Sequence, residues 1–409
     1  MRKVAVTGLG VISPVGSGHD GFFSALLAGR SGIRRLSAEF APRLASRIGG
    51  EVDFDAAAFF AKPKLALLDR FSQFALVAVA QAIRDAGIEG DDPRKQSAGV
   101  YLGTGVGGAH TTEAGYVDLY LKAKDRLPPF TVVRAMNNAA AAHVSIDHGL
   151  RGPSLTYSTA CSSSAVAVGE ACRAIRHGYV DLAIACGAEA LLTLGVIRAW
   201  EALRTLAAED PQDPAASCRP FSRDRSGLVL GEGAGAVVLE TVEHARARGA
   251  KIYAELAGYG VASDADHLTR PSQQGQAAAM RRALDDAGLD PESVGYINAH
   301  GTATLAGDPI ETAAIKQVFG PHARRLAVSS TKSMHGHLMG ATGVVEFIAA
   351  ILALERRAVP PTAHLRVADP ECDLDFVPDA GRTGVDLEAV MSNSFAFGGS
   401  NAVLVARRA

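Results

Sequence analysis

Four short patterns occur twice in this chain, in the same order, and that repetition limits the fold more than any single motif does. Gly8-Leu9-Gly10-Val11-Ile12-Ser13 recurs as Gly258-Tyr259-Gly260-Val261-Ala262-Ser263, each closing a β-rich run. Ala82 to Ile88 recurs as Ala283 to Leu289, each a helix end with glycine on its C-terminal side. Gly99 to Gly105 matches Gly295 to Gly301, and Ser158-Thr159-Ala160-Cys161 faces Ser330-Thr331-Lys332-Ser333 at the entrance to a helix. The offset shrinks along the chain, from 250 residues at Gly8/Gly258 to 201 at Ala82/Ala283 and 172 at Thr159/Thr331. The first half therefore carries the extra loops, between Ser13 and about Phe71, between Gly105 and about Tyr157, and from Thr193 to about Ser226. Insertions of that size on a repeated scaffold shape pockets or interfaces. Each half alternates strand and helix, so an α/β protein with parallel or mixed sheets covered by helices is expected, divided into residues 1–250 and 251–409. The run Leu228 to Leu239 reads as a buried strand pair closing the first half, followed by a helix over Glu243 to Gly249.

Within that scheme Thr159-Ala160-Cys161-Ser162-Ser163-Ser164 lies where a strand turns into a helix. Gly152 to Tyr157 before it reads as a turn and a short strand, and Ala165 to Arg176 after it has helical apolar spacing. At a helix start, free N–H groups and the positive end of the dipole are expected to lower the Cys161 pKa. The same groups can hold the oxyanion formed when a thiolate attacks a carbonyl. A free cysteine is more often an inert core residue, so a nearby base decides the matter.

Composition narrows the chemistry. With 48% hydrophobic and 21% charged residues over 409 positions, the chain suits a globular protein of one large or two fused domains. A net charge of -2 argues against nucleic acid as the main partner. Five cysteines show no Cys-x-x-Cys pair, which points to a reducing compartment, the cytoplasm. Gly8, Gly10 and Pro14 interrupt the first apolar run, so it reads as a strand rather than a leader, and no apolar stretch is long enough to span a bilayer.

The second half supplies candidate bases. His300-Gly301-Thr302-Ala303-Thr304 ends one strand, and Lys332-Ser333-Met334-His335-Gly336-His337 follows another. In a twofold duplication equivalent strand ends converge, which brings His300, His337 and Lys332 toward Cys161. Imidazoles there can hydrogen-bond a thiolate and a thioester carbonyl together. Lys332, with Glu346 one helix later, reads as a partly buried pair orienting the histidines. His335-x-His337 lacks zinc-ligand spacing, so no metal is expected. Asn393 to Asn401 ends in two glycines, a turn suited to bringing the Phe397 N–H to a bound oxyanion with the ring as a movable wall.

Cys161, His300 and His337 together resemble the catalytic set of the thiolase-fold condensing enzymes, specifically the elongating β-ketoacyl-acyl carrier protein synthases. The similarity spans nearly the whole chain, through Thr159 to Ser163, Ala299 to Thr302, Gly307-Asp308, Ser330 to Ser333, Gly336-His337 and Asn393 to Asn401. It implies a thiolase-like duplicated αβαβα layered fold and a decarboxylating Claisen condensation without cofactor or metal. Cys161 would take the acyl chain, the N–H groups of Cys161 and Phe397 would hold its oxyanion, and Thr302 and Thr304 would touch the pantetheine arm of malonyl-carrier protein. His300 and His337 would stabilise the enolate formed on loss of CO₂. Lys332 and Glu346 would support the histidines, with Asp308 beside them. Trp200 and Phe395 would line the substrate pocket, and Phe397 would gate it. The resemblance also implies an acyl carrier protein partner and a dimer, a homodimer or a heterodimer with a chain-length factor, through the Gly105–Tyr157 insertion. Lys62, Lys64, Arg70, Arg134 and Arg204 are candidates for a basic docking rim.

Departures from the family pattern bear on substrate and pathway. Leu305 stands where proline is usual, Ala396 where glycine is common, and His335 where threonine is common. The run Cys161-Ser162-Ser163-Ser164 looks more like polyketide-type ketosynthases. A ketosynthase of a type II polyketide or aryl polyene pathway is thus the alternative to fatty acid elongation. A degradative thiolase would condense without decarboxylation, and a non-catalytic chain-length partner would lack the cysteine this chain keeps.

Overall fold

The computed structural model describes residues 1–90 and 92–409. Ten strands follow one another across a single sheet. The first half contributes β1 (Val4–Ser13), β2 (Gly99–Gly103), β3 (Ser154–Tyr157), β4 (Leu182–Glu189) and β5 (Gly233–Thr241). The second contributes β6 (Ala254–Ser263), β7 (Val294–Asn298), β8 (Ala327–Ser329), β9 (Ala389–Phe395) and β10 (Ser400–Arg407). Their order is β8-β7-β9-β10-β6-β1-β5-β4-β2-β3, with Gly16–Ser17 pairing on β1 off this path. From the centre outward, each half makes two antiparallel pairings and then two parallel ones. The halves join where β1 and β6 run antiparallel, Ala5 opposite Glu255 and Val6 opposite Ala254.

Eight helices matter for the site: α1 (Arg70–Asp85), α2 (Ala109–Tyr116), α3 (Ala139–His148), α4 (Ser163–Arg176), α5 (Leu194–Ala202), α6 (Gln273–Ala287), α7 (Gly307–Phe319) and α8 (Thr342–Arg356). Helices α1 and α3 cover the outer face of the first half-sheet, α6 and α7 that of the second, and α4 and α8 pack against each other between them. That is the five-layer αβαβα arrangement. The sequence explains who goes where. Helix α1 keeps a polar stripe at Gln73, Arg84 and Asp85 and buries Phe71, Phe74, Ala78 and Ala82, as a helix with one wet face must. Helix α8 is buried from Thr342 to Leu354, and its sequence is correspondingly apolar all round.

The duplication is visible in the packing itself. A Cβ on Gly10 would lie 1.9 Å from the Ala78 carbonyl oxygen of α1, and one on Gly260 would lie 2.1 Å from the Ala279 oxygen of α6. Both strands approach their helices so closely that only glycine fits. One local expectation fails: Leu228 to Leu239 is not a strand pair. Only Gly233–Thr241 is a strand, while Leu228 and Leu230 make single bridges to Leu206 and His337. The reason is that the backbone from Leu228 to Glu232 bonds three separate loops, at Ala207, Gly50 and His337, and so forms no continuous ladder. Among the described residues no helix is long and apolar enough to cross a membrane.

Candidate active site

Cys161 sits in a 3₁₀ turn, Ala160–Ser162, between β3 and α4. Ala160 adopts φ 50°, a left-handed conformation unusual for a residue with a Cβ, and so turns the chain sharply just before the sulfur. Side chains hold the turn: Ser163 Oγ donates to the Ala160 carbonyl at 2.6 Å and accepts the Thr159 N–H at 2.9 Å. The helix therefore begins two residues after the cysteine, at Ser163.

The histidines arrive from the other half. His300 lies just beyond β7, and its N–H and that of Gly301 both donate to the Glu311 carboxylate of α7 at 2.8 Å. His337 lies between β8 and α8, 1% exposed. Cys161 Sγ and one ring nitrogen from each histidine all lie within 4.8 Å of one another. The two rings meet edge to face, with centroids 5.4 Å apart. Together they open on a cavity of about 210 Å³ also lined by Trp200, Thr302, Thr304, Asp308, Phe395 and Phe397.

The hydrogen bonds assign the protons. Met339 N–H donates to His337 Nδ1 at 3.2 Å, and Thr342 Oγ1 lies 2.9 Å from the same atom. A neutral imidazole that accepts through Nδ1 carries its proton on Nε2. That Nε2 is buried and has no partner among the described residues, nor has His300 Nδ1. Burial, with the positive charge of Lys332 next, holds both rings well below the ordinary histidine pKa, so both are neutral near pH 7. Lys332 and Glu346 stand behind the rings rather than in the cavity. The ammonium reaches the two carboxylate oxygens at 2.7 and 2.8 Å, and both side chains are fully buried. Burial raises the Glu346 carboxyl, and the lysine opposes that rise.

The electrostatics correct one expectation. The Cys161 thiol is not lowered: burial pushes it up to about 11, against the pull of Lys332 and of N–H groups from Phe397 and Cys161 itself. Cys161 is 5% exposed and belongs to an apolar cluster with Leu192, Ile197 and Met339, so desolvation of the thiolate outweighs those favourable partners. The Phe397 N–H does reach the sulfur, and its ring stacks on Trp200 with centroids 5.6 Å apart. Phe395 sits edge-on to His300 at 6.1 Å. Thr302 and Thr304 bond each other at 3.0 Å. Asp308 accepts the Phe221 N–H at 2.7 Å, and burial lifts its carboxyl to about 7.

His335 faces away from the cavity, bonded to the Gly336 carbonyl and to Thr331. Among the rim candidates, Lys62 and Arg204 are exposed and Lys64 is paired with Asp147 at 2.5 Å. Arg70 is withdrawn from the rim by its bond to buried Glu232, and Arg134 is half-buried.

Sequence reasoning missed two carboxylates. Glu189, at the end of β4, accepts the Gly105 N–H at 2.6 Å, the Gly340 N–H at 3.0 Å and the Thr104 hydroxyl at 3.0 Å. It ties the loop after β2 to the turn that orients His337. Glu311 does the same for His300 and adds the Asn393 amide at 3.1 Å. The available signal was a lone acid inside an apolar run, Leu182 to Leu192, and an acid three residues after Asp308, on the same face of α7.

Comparison with known proteins matches this geometry to named relatives. Residues 1–245 match the family model described as beta-ketoacyl synthase, N-terminal domain, and residues 253–366 match the corresponding C-terminal domain. The chain is 43% identical over 410 residues to 3-oxoacyl-[acyl-carrier-protein] synthase 2 of Coxiella burnetii, covering 100% of this chain and 99% of that one. Among solved structures, the ishigamide ketosynthase/chain length factor aligns with a TM-score of 0.92 and 35% identity, over 100% of this chain and 99% of that one. A type II PKS acyl-carrier protein in complex with its ketosynthase bound to the hexaketide aligns with a TM-score of 0.90 and 32% identity, with the same coverage.

Proposed function

The chain belongs to the beta-ketoacyl synthase family, and on that premise we propose that it joins an acyl chain to malonyl-acyl carrier protein by decarboxylating Claisen condensation, in fatty acid synthesis. The observation that carries this reading is the meeting of one sulfur and two neutral imidazoles, each with one buried nitrogen unpartnered among the described residues, at a single cavity. In the first step Cys161 Sγ attacks the acyl thioester, and the carbonyl oxygen develops its charge against the N–H groups of Cys161 and Phe397. The carrier thiolate leaves and takes up the proton that the cysteine gave. In the second step the malonyl thioester places its carbonyl oxygen at the Nε2–H of His337 and the ring of His300. Carbon dioxide departs, the electron pair becomes an enolate held by those rings, and its carbon attacks the acyl carbonyl. Cys161 leaves as thiolate and is reprotonated.

Neutral rings suit this step. An imidazolium would form a salt with the malonyl carboxylate and stabilise the ground state, whereas an N–H donor gains strength as the enolate charge develops. Lys332 and Glu346 hold the histidine turn, Thr302 and Thr304 contact the pantetheine arm, and Trp200 and Phe395 wall the pocket. The partner is acyl carrier protein in its acyl and malonyl forms, met at a rim that includes Lys62 and Arg204. The chain acts as a dimer through the segment from Gly105 to Tyr157. Its likeness to solved ketosynthase pairs and its Cys161-Ser162-Ser163-Ser164 run favour, as a second reading, a type II polyketide ketosynthase paired with a chain-length factor.

One experiment tests both readings: the purified chain alone is given acyl-carrier protein and malonyl-carrier protein, with mass spectrometry of Cys161 and of the product. An acylated cysteine and a β-ketoacyl product support the main reading. Acylation without product until a chain-length factor is added favours the second.

A further inference from the structure

Arg225 lies in the first-half insertion that runs from Thr193 to about Ser226, and its side chain is 3% exposed. Four of the five N–H groups of its guanidinium are engaged. Nε donates to the Thr304 carbonyl at 3.0 Å, and Nη2 donates to the Leu305 carbonyl at 3.2 Å. Nη1 donates to the Ser222 carbonyl at 2.9 Å and also to the Asp369 carboxylate. The two consecutive carbonyls belong to the other half of the chain, 79 and 80 positions away.

They sit on the loop that joins β7 to α7, which has no regular structure from His300 to Thr304. Ala303 there adopts φ 64°, a left-handed conformation that a residue with a Cβ keeps only when its surroundings enforce it. The loop has few bonds of its own. The Thr302 and Thr304 hydroxyls bond each other, and the Gly307 N–H donates to Thr304 Oγ1 at 3.1 Å. Leu305 is 68% exposed and lacks the ring with which a proline would fix φ at that position. The hold therefore comes from outside. The planar fork of Arg225 takes both carbonyls at once, and an ammonium, a single point on a flexible stem, cannot reproduce that geometry.

We propose that Arg225 is a positioning residue of the reaction. By gripping the Thr304 and Leu305 carbonyls it fixes the Thr302 and Thr304 hydroxyls, which line the cavity, in the orientation that the pantetheine arm meets. This rests on the reading of those two threonines as contacts of that arm. Arg225 touches neither the arm nor the reacting atoms, so its effect belongs to substrates that carry the arm.

The test compares two hexanoyl thioesters, of pantetheine and of ethanethiol, with transfer to Cys161 followed by intact-protein mass spectrometry. The ratio of kcat/KM for the first to that for the second is expected to fall about tenfold in Arg225→Lys, with the loss in KM for the pantetheine thioester. Leu305→Pro, which stiffens the same loop from within, should recover part of that ratio in the lysine variant. Should Arg225→Lys fail to fold, Asp369→Asn, which removes only the charge that anchors the guanidinium, is expected to lower the ratio about threefold. An unchanged ratio, with both thioesters affected equally or not at all, would overturn the proposal, and so would a Leu305→Pro that recovers nothing. Thr302→Val tests the reading beneath it: if that change leaves the ratio as it was, the threonines do not hold the arm, and the proposal falls with them.

Discussion

At the scale of the residue, burial keeps the Cys161 thiol protonated near neutrality. With the thiol at about 11, its thiolate fraction rises about tenfold for each pH unit through the neutral range. Alkylation of Cys161 by iodoacetamide in the free protein should follow that slope, and a plateau near neutrality would show that the dipole outweighs burial after all. Cys161→Ala should abolish acylation and condensation while the melting curve is kept. Removing one enolate donor should cost more in the second step than in the first, so His300→Ala is expected to slow decarboxylation about 10²–10³-fold and acylation far less. Equal losses in the two steps, read by trapping the acyl-enzyme before malonyl addition, would refute that division. The gathering of Cys161, His300 and His337 was legible in the sequence, because they stand beside glycine turns at repeated strand ends. Glu189 and Glu311 were not, since their work is to gather backbone N–H groups from loops far away in the chain, and only the folded structure brings those loops together.

Among the elements, the central helices and the glycine-faced strands carry the precision. Glu346 projects from α8 to Lys332 in a fully buried pair, so Glu346→Ala leaves an ammonium without its partner. Such a break typically costs about 3–5 kcal/mol; urea unfolding should show that loss, and a change within error would place the pair outside the cooperative core. Gly260→Val is expected to be at least as damaging, because its side chain must enter the space of the Ala279 carbonyl. The same change at Gly10 should behave alike, given the equivalent contact with Ala78. Repetition made the matched strands and helices readable in advance. The stretch from Leu228 to Gly231 differs from expectation because the apolar run Leu228-Val229-Leu230 has the composition of a buried strand. Its backbone partners, Gly50, Ala207 and His337, lie on three different loops, and only the folded chain brings them together.

For the whole molecule, one end of the sheet follows in the chain on a run of exposed apolar side chains. Strand β3 ends the sheet, and Tyr116, Tyr120, Leu121, Phe130 and Val132 are exposed in the segment before it. An open edge strand beside a cluster of that kind calls for a partner surface. Light scattering should report twice the chain mass, and Tyr120→Glu with Val132→Glu should shift it to the monomer; an unchanged mass in the double variant would locate the interface elsewhere. Helix-covered sheets could be expected from the repeat and the five layers from the family resemblance, but the seam could not, because the two register pairs joining β1 to β6 leave no pattern of their own. The stack of Phe397 on Trp200 has a last consequence. One residue supplies both a ring on the cavity wall and an N–H toward the sulfur, so any shift of that ring is expected to be felt at the sulfur as well.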